Sequence, residues 1–259
     1  MVGTTTLITS RTNRLVKLAR TLRRRKARAE SGLFLVEGIH PVGEVIEAGW
    51  DIEAIIYAPE KLESDFANQL VSRFEGRIER VSQQVLESLA GKENPQGILA
   101  IVHQRPPTLE KLPACRCGAA LVAPQDPGNL GSVARILDAV GADMLLLLDG
   151  GVDAYHPTAI RASMGALFWI TVAEATFDAF NRWRLDRHLQ LVGTSAAGSQ
   201  DYRSFRPGPA WILLLGSEQK GLTAAQMSAC DASISLPMRG RASSLNLAVA
   251  AGILLYSLA

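Results

Sequence analysis

The segment LLLGSEQKGLT, Leu213 to Thr223, decides how the second half of this chain is read. A run of leucines ends at Gly216, Gly221 follows five residues later, and Thr223 stands two beyond that. The spacing suits a phosphate-cradling loop, G-x-x-x-x-G-K-[ST], except that Leu222 occupies the lysine position. Lys220 precedes the second glycine, and Glu218 puts a carboxylate inside the loop. A polyphosphate would meet repulsion where it needs a cation. With no G-x-G-x-x-G elsewhere, a nucleotide-binding hydrolase is disfavoured. What remains is a buried strand ending in a glycine-framed turn with Glu218 at its tip.

Reading outward from that strand, five more segments have the same character. AALVAPQ, MLLLLDG, LFWITVA, LQLVGTSA and ASISLPM join AWILLLG as strands buried on both faces, the pattern of a parallel sheet. The helical segments SVARILDAVG, HPTAIRASMGA, TFDAFNRWRLDRH and TAAQMSACD separate most of them. Alternating β and α with short connections implies a doubly wound α/β domain over residues 118–259. The last helix, in SSLNLAVAAGILLYSLA, is apolar around most of its circumference. It needs cover on more than one side, by its own sheet and by a second subunit. The prolines of QRPPTLEKLPACRC mark residues 106–117 as a linker.

Residues 1–105 read as a smaller α/β unit. NRLVKLARTLRRRKARAE is expected as one helix with Leu15, Leu18, Ala19 and Leu22 on one face. The strands GLFLVEG, DIEAIIYAP, IERVS and GILAIVHQ then alternate with the helices HPVGEVIEAG, KLESDFANQLVSRFE and QQVLESLAG.

Composition narrows the function. In 259 residues, 47% hydrophobic and 20% charged, the content is that of an ordinary globular protein. The net charge of +2 is small, but nine of the 27 Lys and Arg lie between Arg11 and Arg28, where there is no acid. That concentration implies a positive N-terminal surface carrying Arg14, Lys17, Arg23, Arg24, Arg25 and Lys26. Without Trp or Phe anchors, a membrane-surface helix is the weaker reading. Cys115, Cys117 and Cys230 lack the spacing of a metal site and read as free thiols of a reducing compartment, so no metal is expected. MVGTTTLITSRTN has no signal-peptide core, and LAVAAGILL is about half a membrane span, so the chain reads as cytoplasmic.

Three strand-end loops carry the candidate chemistry. In APQDPGNLGSVAR, Asp126-Pro127-Gly128 turns sharply, Asn129 is free to cap or reach into a site, and Arg135 falls in the first helical turns. LLLGSEQKGLT is the second. In LPMRGRASSLN, Pro237 ends the ladder, Gly240 permits a bend, and Ser243 or Ser244 starts the final helix with Asn246 in its first turn. Each loop alone is also an ordinary strand-to-helix turn.

Together, in order and spacing, the three resemble the signature motifs of the SpoU (TrmH-like) RNA ribose methyltransferases of the SPOUT superfamily. The resemblance covers Ala119 to Ala259 and takes in HPTAIRASMGALF. The pattern ITSRTN…KLARTLRRRKAR…FLVEG is similar to the family's RNA-binding domain, whose fold is like that of a small ribosomal protein, which makes Arg14, Lys17, Arg23, Arg24, Arg25 and Lys26 candidate RNA contacts. The resemblance implies a parallel sheet with a deep C-terminal trefoil knot, S-adenosylmethionine as cofactor and a homodimer through the C-terminal domain. It implies methyl transfer to a ribose 2′-hydroxyl by in-line displacement. By position, Thr194, Gly216, Leu236 and Leu245 would line the adenosine pocket. Arg135 would serve the reaction with Asn129, Glu218, Ser244 and Asn246. Because arginine stays charged, Arg135 reads as stabilising the forming alkoxide, with an RNA phosphate taking the proton. The separate N-terminal domain favours ribosomal RNA. A transfer-RNA methyltransferase and a non-catalytic RNA-binding factor of the same fold are the alternatives.

Overall fold

The computed structural model describes residues 6–91, 94–195 and 199–259. The first five residues of MVGTTTLITSRTN and the Ala196 end of the LQLVGTSA segment lie outside them. By packing, the chain divides into two compact units, Met1–Arg105 with Tyr155–Phe168, and Pro106–Ala154 with Trp169–Ala259.

In the first unit the expected N-terminal helix is two helices, α1 (Arg14–Thr21) and α2 (Arg25–Ser31). The side chain of Asn13 caps α1 by accepting the Leu15 N–H at 2.8 Å. Arg28, only 1% exposed, donates from Nη1 to the Leu22 carbonyl at 2.8 Å. That carbonyl would serve Lys26 in an unbroken helix, so a buried guanidinium replaces a helical bond and the chain bends. Tertiary packing overrides the helix propensity of RRRKAR.

The chain continues through β1 (Leu33–Glu37), α3 (Ile39–Glu47), β2 (Ile52–Tyr57), α4 (Asp65–Arg73), β3 (Ile78–Arg80), α5 (Gln83–Leu89) and β4 (Ile98–His103). The sheet order is β1-β4-β2-β3, with β4 antiparallel to both neighbours and β3 parallel to β2. Leu15, Leu22, Ile56, Leu86 and Leu99 share one core beneath α1 and α5.

The second unit holds β5 (Cys117–Val122), α6 (Pro127–Ala139) and β6 (Met144–Leu148). The chain then supplies α7 (Pro157–Ser163), which packs on β1 within the first unit. It continues through β7 (Thr171–Ala175), α8 (Phe177–Asp186), β8 (Gln190–Thr194), β9 (Gln200–Asp201), β10 (Trp211–Leu215), α9 (Ala224–Ser228), β11 (Ala232–Ser235) and α10 (Leu247–Leu258). Seven strands form a wholly parallel sheet in the order β7-β6-β5-β10-β8-β11-β9. Every residue of β5, β6 and β10 is buried, as strands covered by helices on both faces require. α10 packs on α6 and β10, with Gly252 against Ile136.

Two further expectations are corrected. LFWITVA is not one strand: Leu167 and Phe168 lie in a 3-10 turn, Ala166–Phe168, and β7 begins only at Thr171. The Phe168 ring packs edge-on to Trp50, and its carbonyl accepts the Trp50 indole N–H at 3.0 Å. A short apolar run serves a buried turn as well as a strand. The final helix also starts later than Ser243 or Ser244. Asn246 is its cap rather than a first-turn residue, because its carboxamide oxygen takes the N–H groups of Ala248 and Val249 at 2.9 and 3.3 Å.

A candidate active site at the carboxyl edge of the parallel sheet

β5, β10, β8 and β11 are adjacent, and all four present their carboxyl ends to one edge of the second unit, where open α/β sheets place ligands. A cleft of about 690 Å³ lies there, bounded by the segments that leave these strands. Thr194, Gly216, Leu236 and Leu245 line it, as do Asn129, Glu218, Ser244 and Asn246. The Thr194 hydroxyl donates to the Leu214 carbonyl at 3.0 Å, leaving its oxygen as an acceptor toward the cleft. Ile234, Met227 and Leu254 add an apolar wall.

The three loops are joined by hydrogen bonds that run in one direction. Because the Asn246 oxygen is committed to the start of α10, its amide nitrogen is the group free to donate. It donates to Asn129 Oδ1 at 2.9 Å. Asn129 in turn donates from Nδ2 to Glu218 Oε1 at 3.2 Å. Glu218 Oε2 receives the Gln125 backbone N–H, also at 3.2 Å. Each amide orientation is thereby fixed by the one before it, and the line ends on a carboxylate that can only accept. Asp126 holds the near end of α6 by accepting the N–H groups of Gly128 and Asn129 at 2.6 and 3.3 Å. This local cap sets where the Asn129 side chain begins.

The loop after β10 is closed on itself. The N–H groups of Lys220 and Gly221 donate to Ser217 at 3.3 and 2.9 Å, and Gly221 turns the chain at φ +66°. Backbone donors that a phosphate cradle would aim outward are used inside the turn. At Gly216 a β-carbon would stand 2.2 Å from the Gly221 carbonyl carbon and 2.4 Å from the Leu222 nitrogen. Only glycine fits where these two backbone segments cross.

Arg135 is not brought to this cleft. It is exposed, beyond the second turn of α6, and is not among the lining residues. Sequence reasoning missed Gln125 and Ser217, which act through backbone and hydroxyl groups and carry no side-chain signature of their own. Of the basic residues, Arg14, Lys17, Arg23, Arg24, Arg25 and Lys26 are exposed on α1, α2 and their junction, whereas Arg28 is buried. Burial pushes the Cys115 thiol up to about 12 and the Cys230 thiol to about 11, and raises Cys117 as well. All three are free. Among the described residues no group of His, Cys, Asp and Glu could hold a metal ion, and no helix is long and apolar enough to cross a membrane.

Comparison with known proteins joins these features. The pattern of the SpoU rRNA Methylase family matches residues 118–256, and that of the MRM3-like substrate binding domain matches residues 13–100. A 23S rRNA (uridine(2479)-2′-O)-methyltransferase of Streptomyces viridochromogenes is 32% identical over 96% of this chain and 90% of its own length. The 23S rRNA (guanosine(2553)-2′-O)-methyltransferase RlmP of Bacillus subtilis is 31% identical, over 97% of this chain and 98% of its own. Among solved structures, an AdoMet-bound rRNA methyltransferase from Sinorhizobium meliloti superposes with a TM-score of 0.88. It is 35% identical, covering 98% of this chain and 97% of that one. The SpoU methyltransferase AviRb of Streptomyces viridochromogenes, in complex with AdoMet, gives 0.88 at 30% identity, over 95% and 96% of the two chains. A parallel sheet with its loops tied across one edge, matched over nearly the whole length, places this chain in the SpoU rRNA methylase family.

Proposed function

We propose that the protein methylates a ribose 2′-hydroxyl of 23S-type ribosomal RNA, with S-adenosylmethionine as methyl donor. The observation that carries this reading is the line Asn246–Asn129–Glu218, which ties three distant loops into one cleft. The cleft suits the cofactor. It has the size of a nucleoside-scale ligand, apolar walls for an uncharged adenine, backbone crossing at Gly216, and no phosphate cradle. Thr194, Gly216, Leu236 and Leu245 would hold the adenosine. When bound, the cofactor supplies an already activated methyl group on a sulfonium.

The protein's own tasks are then to orient the ribose oxygen and to ease loss of its proton. Asn129, Ser244 and Asn246 position the ribose, and Glu218 fixes the Asn129 amide. Arg135, always charged, stabilises the forming alkoxide, with an RNA phosphate as proton acceptor. Because Arg135 lies outside the cleft of a single chain, bound RNA or a second copy is needed to unite them. A homodimer through the second unit is supported by α10, which leaves Val249 51% and Tyr256 65% exposed beside a half-exposed Ile253. A trefoil knot is supported by β10 lying between β5 and β8 while the chain beyond it returns to α6. The N-terminal unit is proposed to bind the RNA, and the protein to work in the cytoplasm. The two relatives are named for a uridine and a guanosine, so the target nucleotide does not carry over.

The test is Arg135→Ala. Tritiated-methyl transfer to 23S rRNA should be abolished while calorimetric S-adenosylmethionine affinity stays within about twofold. Equal loss of both would make Arg135 structural.

A further inference from the structure

Three ionic groups meet over Gly91, wholly within the first unit. A β-carbon at Gly91 would lie 3.2 Å from Arg23 Nη2, 3.2 Å from Glu37 Oε2 and 3.3 Å from Arg161 Nη1. Arg23 comes from the α1–α2 junction, Glu37 ends β1, and Arg161 lies on α7. The two guanidiniums are close enough for one phosphate to touch both.

Among the described residues each guanidinium makes one hydrogen bond. Arg23 donates to the Leu89 carbonyl at 2.6 Å, and Arg161 donates from Nη2 to the Thr158 hydroxyl at 3.2 Å. A guanidinium has five N–H donors, so most of each fork stays uncommitted. Glu37 takes the Gly91 N–H on Oε2 at 2.8 Å, while its Oε1 is buried without a hydrogen-bond partner. Among the described residues the cluster over Gly91 holds two guanidiniums and one carboxylate. The exposed Arg24, Arg25 and Lys26 follow Arg23 directly.

We propose that Arg161 and Arg23 form a phosphate-binding site for the substrate RNA, floored by Gly91 and held in shape by Glu37. The site rests on the RNA-methyltransferase reading. Arg161 is the new element: a residue encoded within the methyltransferase part of the sequence that serves the RNA surface of the other unit. Glu37 is a positioning residue, anchoring the Gly91 backbone between the two guanidiniums.

The probe is in vitro transcribed 23S rRNA, titrated by filter binding at graded KCl. Arg161→Ala should weaken binding about tenfold at low salt and reduce the slope of log K against log salt by about one. Arg161→Lys should keep the slope, because the charge remains. Glu37→Gln should leave affinity equal or a few-fold higher, since it removes a negative charge beside the phosphate. Melting temperature and S-adenosylmethionine affinity of the two Arg161 variants should match wild type. If Arg161→Ala binds RNA with unchanged affinity and slope, or if Glu37→Gln weakens binding as a lost RNA contact would, the site does not exist. If wild type neither binds nor methylates 23S rRNA, the functional reading falls and this inference with it.

Discussion

Substituting Asn246 separates the two duties of one side chain. Its oxygen caps α10 and its nitrogen orients Asn129. Asn246→Ala removes both. Loss of the cap costs about 1 kcal/mol, and loss of the hydrogen bond to Asn129 about 1 more. The sum, about 2 kcal/mol, corresponds to a melting point lower by roughly 4–8 °C for a protein of this size. Asn246→Asp keeps the capping oxygen, and its charge at the helix start contributes about 0.3–1 kcal/mol, roughly offsetting the lost donor. Its melting point should stay within about 2 °C of wild type. The aspartate cannot donate to Asn129. If the Asn129 amide keeps its orientation, two oxygens face each other at position 246, and if it flips, its oxygen faces Glu218. Methyl transfer should fall roughly 10- to 100-fold in kcat/KM, the scale of a misplaced reacting group. Thermal melts and tritiated-methyl transfer read the two effects separately. An aspartate variant as active as wild type would refute the directional line. An aspartate variant as unstable as alanine would refute the cap.

Gly216→Ala should reduce calorimetric S-adenosylmethionine affinity more than tenfold, since all three atoms it would meet are backbone and cannot swing aside. Gly221→Ala, where a β-carbon meets nothing within 4 Å, should cost about 1 kcal/mol of stability through its positive φ and spare cofactor binding. At pH 8.5 iodoacetamide should leave native Cys115 and Cys230 unmodified and label all three cysteines in urea. The folded Cys115 thiol keeps a proton that the unfolded chain releases above about pH 9, so denaturant midpoints should fall as pH rises from 9.0 toward about 12.

The parallel sheet was legible because MLLLL and WILLL are buried on both faces and leave few other readings. LFWITVA has the same composition, but Phe168 answers to Trp50, more than a hundred residues earlier, and no local pattern records that. The break after Thr21 is likewise set by Arg28 reaching back to a carbonyl, against the propensity of the arginines around it. Asn129, Glu218 and Asn246 could be singled out from their loops. That the two asparagine amides donate in a fixed order onto the Glu218 carboxylate depends on the position of a helix cap that the neighbouring serines concealed. Arg135 is close to Asn129 in sequence, but its place further along α6 leaves it outside the lining of the cleft in a single chain.

The excursion Tyr155–Phe168 makes the two units inseparable by a single cut. An expression fragment ending at Arg105 would lose α7 and the Phe168 ring, uncovering β1 and the aromatic cluster of Phe34 and Trp50. A fragment beginning at Pro106 would carry the same stretch with nothing of its own to pack against. Grafting this N-terminal module onto another enzyme therefore means transplanting as well the fourteen residues that interrupt the second unit's sequence. Recombination between homologues would be tolerated only where both pieces move together.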